Sequence, residues 1–340
     1  MKQVVLEQPG QFKLSETEHP GKPGPGEALL KVRRLGICGT DLHAFKGRQP
    51  FFTYPRRLGH ELGVEIVEVG ENSLGLKAGD MCAVEPYLTC GKCVACRNGK
   101  TNCCMSLLCL GVHTDGGMCE YIKMPVEKVH PSTKLSIDQL ALVETLGIGA
   151  HGVNRAEIQR GEWALVIGAG PIGLAAIQFA KAAGAEVIVA DVNPQRLKFC
   201  QDNLGVEYFI DAKQDILPQL EAICTKELAT AVFDCTGNQT SMQNAFQYTS
   251  HGGRIVYIGL GQFDITFNDP HFHRRQLTVM SSRNSTGKEL KKIIEMIEEG
   301  KINTDPWITH RTNFDRLIED FPTYTDPATG CIKAMIEVAA

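Results

Sequence analysis

The sequence predicts an α/β protein that combines a β-rich module with a doubly wound parallel sheet. At 340 residues the chain is long enough for about two domains, taking roughly 150 residues for each. Residues 1 to about 145 are dense in glycine and proline and contain short β-like runs, whereas strand-like and helix-like segments alternate from about Ile148 onwards. Such alternation is typical of parallel β-α-β units, which place helices on both faces of a sheet.

The first module is predicted to consist of short strands joined by irregular loops. Apolar runs at residues 4–6, 28–32 and 63–69 are β-like. Residues 64–69 alternate between apolar and acidic side chains for most of their length, which is the pattern of a half-buried strand. The glycine- and proline-rich stretch at 21–26 is predicted to be a turn-rich connector.

The second module is predicted from its longest uncharged run, residues 163–180. This run is about as long as a membrane span, but three glycines and a proline interrupt it. It is therefore interpreted as a strand, a glycine turn and a helix. The predicted order is strand 164–167, helix 172–183, strand 186–190, helix 194–202 and strands 231–234 and 254–258, followed by an amphipathic helix at 288–299 and a final strand at 335–338.

Composition and charge exclude several classes of function. The chain has 35 Lys and Arg against 39 Asp and Glu, a formal net charge of -4, which argues against binding of nucleic acid or a membrane surface through bulk charge. The N-terminal stretch lacks the long apolar core of a signal peptide, so a cytoplasmic location is predicted. The odd number of cysteines, 13, excludes a complete disulfide framework and favours metal ligands together with reduced thiols.

A cluster of four cysteines is the sharpest local signal in the sequence. Cys90, Cys93, Cys96 and Cys104 are separated by two, two and seven residues. Four thiolates at these gaps can close tetrahedrally on one zinc ion, which leaves no open ligand position and predicts a structural site. Cys103 is adjacent and competes as the fourth ligand. A cluster of reduced thiols in a loop is the alternative interpretation.

A second constellation of metal donors is split between two segments. Cys38 lies in GICGTDLH and His60 in GHE, and together with an acid they can form a three-ligand zinc site with an open fourth position. Asp41 is a candidate to orient the His60 ring through a hydrogen bond. The alternative is a small core cysteine, a satisfied histidine and a surface Glu61, because spacing alone does not unite the two segments.

The stretch VIGAGPIG matches the pattern G-x-G-x-x-G between an apolar strand and a helix. Gly168 permits the tight turn, Gly170 lets the backbone approach a pyrophosphate, and Gly173 lets helix and strand pack closely. Asp191 ends the next predicted strand, 18 residues after Gly173, close to the spacing of about 20 expected for a ribose-binding carboxylate. NAD is therefore favoured over NADP, although Arg196 is placed to accept a 2′-phosphate. A helix N-cap role for Asp191 is the alternative.

Taken together, these motifs resemble those of the zinc-dependent medium-chain alcohol and polyol dehydrogenases. The matching stretches cover essentially the whole chain: GICGTDLH, GHE, the four-cysteine cluster, VIGAGPIG with Asp191, DCTGN and SRN. The resemblance implies a GroES-like catalytic domain from residues 1–147 and 286–340, with a Rossmann NAD-binding domain at 148–285 inserted between them. It also implies two zinc ions per chain and a homo-oligomer, either a dimer or a tetramer.

The resemblance also implies roles for individual residues. Cys38, His60 and an acid, either Glu61 or Glu144, would bind the catalytic zinc, and the four cysteines would bind the structural one. Thr40 and His43 match proton-relay positions. The dinucleotide contacts implied are Gly168, Gly170, Pro171, Ile172, Gly173, Asp191, Arg196, Ile258, Gly259, Leu260, Ser282 and Arg283.

Two positions depart from the family pattern. Glu144 stands where classical members carry a third, cysteine ligand, and this resembles the sorbitol and threonine dehydrogenase branches, in which a glutamate binds zinc directly or through water. The glycine expected three residues after the GHE glutamate is Val64, with Gly63 before it. The first departure leaves open which acid binds the metal, and the second concerns only the local shape of the chain.

The substrate is suggested by a narrower resemblance. The stretches GRQPFFTYPR, GKTNCC, GVHTDGG and NDPHFHRR are similar to those of bacterial sugar-acid dehydrogenases of the L-galactonate 5-dehydrogenase type. This implies oxidation of a secondary alcohol of a polyol or sugar acid to a ketone, with hydride transfer to NAD. Arg48 and Arg56 are candidates to bind an acidic substrate, unless they are solvated or paired. A zinc-independent reductase or nucleotide-binding relative of the same fold is the alternative.

Overall fold

The computed structural model describes residues 1–338 and divides into two compact units. Unit 1 comprises Met1–Thr145, Thr286–Glu299 and Thr304–Ala340, and unit 2 comprises Leu146–Ser285 and Gly300–Asn303. The strands are β1 Lys2–Gln8, β2 Gln11–Glu16, β3 Glu27–Gly36, β4 Glu61–Val69, β5 Met81–Val84, β6 Tyr87–Leu88, β7 Leu108–Cys109, β8 Tyr121–Pro125, β9 Val129–Pro131, β10 Trp163–Ile167, β11 Glu186–Asp191, β12 Tyr208–Asp211, β13 Ala229–Asp234, β14 Thr249–Tyr257, β15 Thr278–Ser281, β16 Ile308–Asn313 and β17 Lys333–Glu337. The helices are α1 Gly39–Phe45, α2 Val94–Arg97, α3 Ile137–Ala156, α4 Pro171–Ala182, α5 Pro194–Leu204, α6 Ile216–Ile223, α7 Gln239–Tyr248, α8 Asp269–Arg275, α9 Gly287–Glu298 and α10 Leu317–Asp320.

Unit 1 is built on a seven-stranded sheet with the order β16-β17-β3-β4-β5-β9, in which β8 also pairs with β3. The pairing is antiparallel except between β16 and β17. The C-terminal strand β17 therefore lies between β16 and β3, so that the end of the chain completes the sheet begun near its start. Alternating side chains of these strands form a continuous apolar core that includes Leu30, Val32, Val64 and Ile66.

Unit 2 is a six-stranded parallel sheet with the order β12-β11-β10-β13-β14-β15. The central strands β10 and β11 are apolar and buried along most of their length, as expected of parallel strands covered on both faces. The chain reverses the strand order at β10, and in such sheets ligands bind beyond the carboxyl ends of the strands at this point. The predicted fold class is confirmed.

Several predicted elements are found within one to five residues of their expected bounds. Residues 163–180 form the strand β10, a turn and most of the helix α4. Helix α9 begins with a capping box in which Thr286 and Glu289 each accept a hydrogen bond from the other's backbone, a signature visible in the sequence. None of the helices in the described part of the chain is long and apolar enough to cross a membrane.

The 20-residue helix α3 was missing from the sequence analysis. Three glycines weaken its helical propensity, and it is buried or half-buried on nearly every side, so its apolar residues show no clear helical period. The structure explains two of the glycines. A Cβ on Gly149 would lie 2.4 Å from the Cβ of Ala175, and one on Gly152 would lie 2.3 Å from Ile258 Cδ1. Close packing therefore requires glycine at positions 149 and 152. The same two glycines weaken the helical pattern of the sequence, which is why the sequence does not predict α3.

The glycine turn after β10 gives a test of the fold of unit 2. A Cβ at Gly173 would lie 1.8 Å from the carbonyl oxygen of Gly168, whereas one at Gly170 would meet only Arg196 Nη1 at 3.7 Å. Gly173→Ala should therefore lower the free energy of unfolding by about 1–3 kcal/mol or more, as overpacking does. Gly170→Ala should lower it by less than about 1 kcal/mol. Urea unfolding of the two variants measures this difference, and equal stabilities would contradict it.

Candidate active site

Three side chains that the sequence left separate meet in unit 1. Donor atoms of Cys38, His60 and Glu61 all lie within 4.8 Å of one another. Cys38 is the N-cap of α1, and His60 directly precedes Glu61, the first residue of β4. Pairing of Glu61 with Gly36 in the β3–β4 ladder brings the two segments together. The sheet register thus unites the two motifs.

Asp41 is completely buried beside this set. Its Oδ2 accepts a hydrogen bond from the backbone N–H of Cys38 at 2.9 Å, which fixes the entry into α1. Its Oδ1 lies 4.0 Å from His60 Nδ1, beyond hydrogen-bond distance, and both atoms are buried without a partner. Asp41 therefore faces the His60 ring, but the direct hydrogen bond predicted between them is absent.

Glu61 is paired with a lysine that the sequence analysis did not identify. The Lys333 ammonium donates to Oε1 and Oε2 of Glu61, both at 2.7 Å. It also lies 3.2 Å from the carbonyl oxygen of Ile37 and 3.3 Å from Thr145 Oγ1. Lys333 and Glu61 are both almost completely buried. Burial raises the pKa of Glu61, but Lys333 and His60 together outweigh burial and hold that pKa below its usual value.

Glu144 lies close by but outside the set of three. Among the described residues, its donors do not fall within the 4.8 Å group of Cys38, His60 and Glu61. The Tyr87 hydroxyl donates a hydrogen bond to Glu144 Oε1, and both side chains are buried. The pKa of Glu144 is raised, chiefly by burial; His60 opposes this shift, and Glu61 adds a smaller upward contribution. Glu144 is thus a second buried carboxylate next to the three candidate ligands.

Thr40 and His43 are both on α1. Because they are three residues apart, they lie on the same face of this helix. Thr40 is half-buried and His43 is exposed, so the pair runs from the interior to the surface. Burial lowers the pKa of His43, and Lys46 and Arg48 lower it further. The imidazole of His43 is therefore mainly neutral near pH 7.

The four cysteines of the sequence motif also converge. Donor atoms of Cys90, Cys93, Cys96 and Cys104 lie within 4.8 Å of one another, with Sγ–Sγ distances of 3.5 Å for the pairs Cys93–Cys96 and Cys90–Cys104. Backbone N–H groups of Cys96 and Met105 lower the pKa of Cys93 to about 6. Of the two competing cysteines, Cys104 joins the group, whereas Cys103 is exposed and stands outside it.

The glycine turn and Asp191 are joined in unit 2. Asp191 Oδ2 accepts a hydrogen bond from the N–H of Ala169 at 2.6 Å, and Oδ1 accepts one from the N–H of Asn193 at 2.7 Å. Arg196 Nη1 lies 4.0 Å from Asp191 Oδ2. The N-cap before Pro194 is Asn193, whose side chain bonds Gln195 N–H. The N-cap alternative for Asp191 is therefore wrong.

The remaining candidate dinucleotide contacts also lie in unit 2, most of them beyond the carboxyl ends of β14 and β15. Ile258 is buried and Leu260 is 71% exposed. A Cβ on Gly259 would lie 2.2 Å from the backbone nitrogen of Gly237, so the loops after β13 and β14 approach each other closely. The other residues predicted for this site are Pro171 and Ile172 in the first turn of α4, and Ser282 and Arg283 just after β15.

The two candidate arginines differ in their surroundings. Arg56 Nη2 donates to Thr53 Oγ1 at 2.8 Å, and Nη1 lies 3.8 Å from Asp115 Oδ1. Arg48 is exposed, and its backbone N–H donates to the carbonyl oxygen of His43 at 2.8 Å. Arg56 therefore has polar partners within the protein, and Arg48 lies near the exposed end of α1.

Sequence reasoning missed two residues of the site, Lys333 and Tyr87. Lys333 begins the apolar strand β17, and a lysine next to a buried run is a weak signal that a partner acid exists. Tyr87 carries no such signal. The partner of each is far away in the sequence, so no local pattern predicts either contact.

The donor sets fit the metals and the dinucleotide that the motifs predict. A thiol, an imidazole and a carboxylate suit a zinc ion with one open position, and four thiols suit a closed one. Near the first set, Lys333 is the single lysine or arginine paired with the buried acids Asp41, Glu61 and Glu144 among residues 1–338, so a divalent cation would balance their charge. At Gly170 nothing but Arg196 fills the space of a Cβ, which leaves room for a phosphate.

Comparison with known proteins gives matches to two family models. The model of the alcohol dehydrogenase GroES-like domain matches residues 24–134. The model of the zinc-binding dehydrogenases matches residues 171–299. The first match covers both candidate metal-binding segments, and the second covers the glycine turn and Asp191.

Individual proteins are similar over nearly the whole chain. L-galactonate-5-dehydrogenase of Escherichia coli strain K12 is 44% identical, with 94% of each chain covered. L-threonine 3-dehydrogenase of Pyrococcus abyssi is 34% identical, with 95% of each covered. A short chain alcohol dehydrogenase of Escherichia coli CFT073, determined with NADH, has a TM-score of 0.92 at 29% identity, with 99% of each chain covered. A protein of Sinorhizobium meliloti 1021, described as a zinc-binding dehydrogenase and bound to NADP, has a TM-score of 0.90 at 28% identity and the same coverage.

The ion pair of Lys333 gives a test of the site's charge balance. Lys333→Met leaves the buried Glu61 without its cation, which should lower the free energy of unfolding by about 3–5 kcal/mol at pH 7. In this variant the pKa of Glu61 rises, so the deficit is present above that pKa and shrinks as the pH falls and Glu61 is protonated. Urea unfolding at several pH values between 5 and 8, starting each time from folded protein, measures both effects.

The matched control is Lys292→Met, which removes an exposed lysine paired with Glu295. Its stability should change by less than about 0.5 kcal/mol and without a comparable pH dependence. Equal effects of the two substitutions would show that Glu61 does not depend on Lys333.

Proposed function

The chain belongs to the zinc-binding, medium-chain alcohol dehydrogenase family and is an oxidoreductase of CH–OH groups; from this premise we propose that it oxidises a secondary alcohol of a sugar acid such as L-galactonate to a ketone, with NAD as hydride acceptor. The observation that carries the proposal is the convergence of Cys38, His60 and Glu61. The 44% identity to an L-galactonate-5-dehydrogenase supports the substrate class.

In this proposal the chain holds two zinc ions in unit 1. Cys38 and His60 bind the catalytic ion together with a carboxylate, for which Glu61 and Glu144 are both available. Asp41 Oδ1 faces His60 Nδ1 at 4.0 Å. Cys90, Cys93, Cys96 and Cys104 bind the structural ion. When bound, the catalytic zinc supplies Lewis acidity that lowers the pKa of the substrate hydroxyl.

Unit 2 binds the dinucleotide in this proposal. The backbone turn from Gly168 to Gly173 and the N-terminus of α4 receive the pyrophosphate, and Asp191 receives the ribose hydroxyls. Because the carboxylate of Asp191 is fixed by two backbone N–H groups, it is held ready for the ribose and opposes a 2′-phosphate, which supports NAD over NADP. When bound there, the dinucleotide would supply the acceptor for the hydride of the carbinol carbon.

The proton of the substrate hydroxyl needs a route to solvent. Thr40 and His43 lie on one face of α1, with Thr40 half-buried and His43 exposed. The lowered pKa of His43 leaves its imidazole neutral near pH 7, so it can accept a proton and release it to water. Oxidation would thus give one hydride to the bound dinucleotide and pass one proton by way of Thr40 and His43 to solvent. Homo-oligomerisation and a cytoplasmic location remain predictions.

The proposed reaction is tested by metal analysis combined with a substrate panel. The purified protein should contain about two zinc ions per chain and reduce NAD faster with L-galactonate than with neutral polyols. His60→Gln should lose one zinc ion per chain and lower turnover by about 100-fold or more. Turnover that survives loss of this zinc would make the zinc-dependent mechanism wrong, and equal rates with NADP would remove the preference for NAD.

Arg48 is the candidate chosen to bind the substrate carboxylate, because its backbone N–H bonds the carbonyl oxygen of His43, which places it beside the proposed proton route. A charge-assisted hydrogen bond is worth about 1.5–3 kcal/mol, so Arg48→Gln should raise KM for the sugar acid by about 10-fold or more. KM for the corresponding uncharged polyol should change by less than about twofold. Steady-state kinetics with both substrates measure the difference.

Lys46→Gln is the control for this experiment, because it removes a positive charge from the same loop. The Lys46 ammonium bonds the carbonyl oxygen of Thr325 and should affect both substrates little. If Arg48→Gln raises KM equally for the acid and the polyol, Arg48 has no role as a carboxylate contact.

A further inference from the structure

Tyr87 belongs to two clusters at once. Its ring is part of the four-cysteine lobe, defined here as residues 87–113. Its hydroxyl reaches Glu144, which lies on α3 outside that lobe. The contact spans 57 residues of sequence and is buried at both ends, with Tyr87 2% and Glu144 5% exposed.

The ring of Tyr87 is held by the four-cysteine lobe. Tyr87 pairs with Cys109 in the short β6–β7 ladder. It packs into a small apolar cluster formed by Cys104, Leu107, Cys109 and Val112, against which Cys90, Cys93 and Cys96 also pack. Four of the residues around Tyr87 are therefore the candidate ligands of the closed metal site. The order of this cluster depends on the same cysteines that would bind the metal.

The hydroxyl of Tyr87 fixes a carboxylate that has no lysine or arginine of its own. Glu61 has both oxygens on the Lys333 ammonium. Glu144 forms no ion pair within 4.0 Å of a basic group in the described part of the chain. Its hydrogen-bond donor there is Tyr87. Tyr87 is therefore the contact that fixes the position of the Glu144 carboxylate in the described part of the chain.

A second contact links the lobe to the candidate ligands. Gly111, near the end of the lobe, packs against Gly59, since a Cβ on Gly111 would lie 2.7 Å from the Gly59 nitrogen. Gly59 has a φ of +96° and directly precedes His60. The backbone N–H of Gly117 donates to the carbonyl oxygen of Gly59 at 2.8 Å. The segment that leaves the lobe thus supports the backbone that presents His60.

We propose that Tyr87 is a positioning residue through which the four-cysteine lobe orients Glu144 at the catalytic metal site. The inference rests on the proposed function, because it takes Cys38, His60 and Glu144 as parts of a metal site. It assigns the lobe a role beyond local stability: an ordered lobe keeps the Tyr87 hydroxyl on Glu144, and a disordered lobe releases it. Residues that hold a metal-site carboxylate typically change metal affinity by about 10- to 100-fold when they are removed.

The first experiment removes only the hydroxyl. Tyr87→Phe keeps the ring and its packing, and cobalt(II) replaces zinc so that d–d absorption reports each metal site. In the variant, release of cobalt from the catalytic site to a chelator should be at least about 10-fold faster, and its d–d bands should shift. Cobalt in the four-cysteine site should be released at the wild-type rate. Unchanged bands and release rates at the catalytic site would overturn the proposal.

Two further variants separate positioning from general stability. Tyr257→Phe removes a buried hydroxyl that donates to the carbonyl oxygen of Met242 at 2.6 Å in unit 2, and it should leave cobalt release at both sites unchanged. In a Glu144→Ala background, which removes the acceptor of the Tyr87 hydroxyl, Tyr87→Phe should change catalytic-site release by less than about twofold, because the two residues act in series. Additive effects of the two substitutions would contradict a role that passes through Glu144.

The wild-type protein gives an independent test that does not depend on the folding of a variant. A mercurial reagent added in steps empties the four-cysteine site, and the d–d bands of the catalytic site should shift while peptide mapping still shows Cys38, itself a thiol ligand, unmodified. Catalytic-site bands that stay constant while the lobe empties would overturn the proposal. A wild-type protein that binds one cobalt per chain would instead overturn the proposed function, and this role of Tyr87 with it.

Discussion

The ion pair between Lys333 and Glu61 is the interaction on which the candidate site depends. The ammonium lies within 3.3 Å of oxygens from Glu61, Ile37 and Thr145. Glu61 begins β4, Ile37 lies just before α1, and Thr145 lies in α3. Lys333 itself begins β17. Because a cation and hydrogen bonds offset the cost of burying the ionised Glu61 carboxylate, this contact ties the strand β17 to the two motifs that carry Cys38 and His60. It also explains why unit 1 is assembled from both ends of the chain.

Close backbone approach is the second constraint, and glycine meets it in both units. In unit 2, the carbonyl oxygen of Gly168 leaves no space for a side chain at Gly173, so strand and helix meet directly behind the turn proposed to receive the pyrophosphate. In unit 1, Gly111 packs on the backbone of Gly59. In unit 2 the close approach fixes the backbone of the turn proposed to bind the pyrophosphate. In unit 1 it fixes the backbone of Gly59, which directly precedes His60.

Charge and hydrogen bonding distinguish the two carboxylates near Cys38 and His60. Glu61 is kept ionised by Lys333, whereas Glu144 accepts a hydrogen bond from a neutral phenol and has a raised pKa. Glu61 therefore has its cation within the protein. Glu144 has only a neutral donor, so its ionisation would be favoured by a cation bound beside it. This difference gives the four-cysteine lobe, through Tyr87, a connection to the chemistry as well as to stability.

The sequence by itself determined the features that depend on short spacing. The gaps between Cys90, Cys93, Cys96 and Cys104, the turn from Gly168 to Gly173 and the alternation of strands and helices after Ile148 are local patterns, because neighbours along the chain impose them. Only the tertiary structure decided which distant groups meet. It joined Cys38 to His60 through the β3–β4 register, excluded Cys103 from the thiol group, and paired Lys333 with Glu61 and Tyr87 with Glu144. These contacts link residues that are far apart in the chain, so their positions follow from sheet order and buried charge, which no local pattern records.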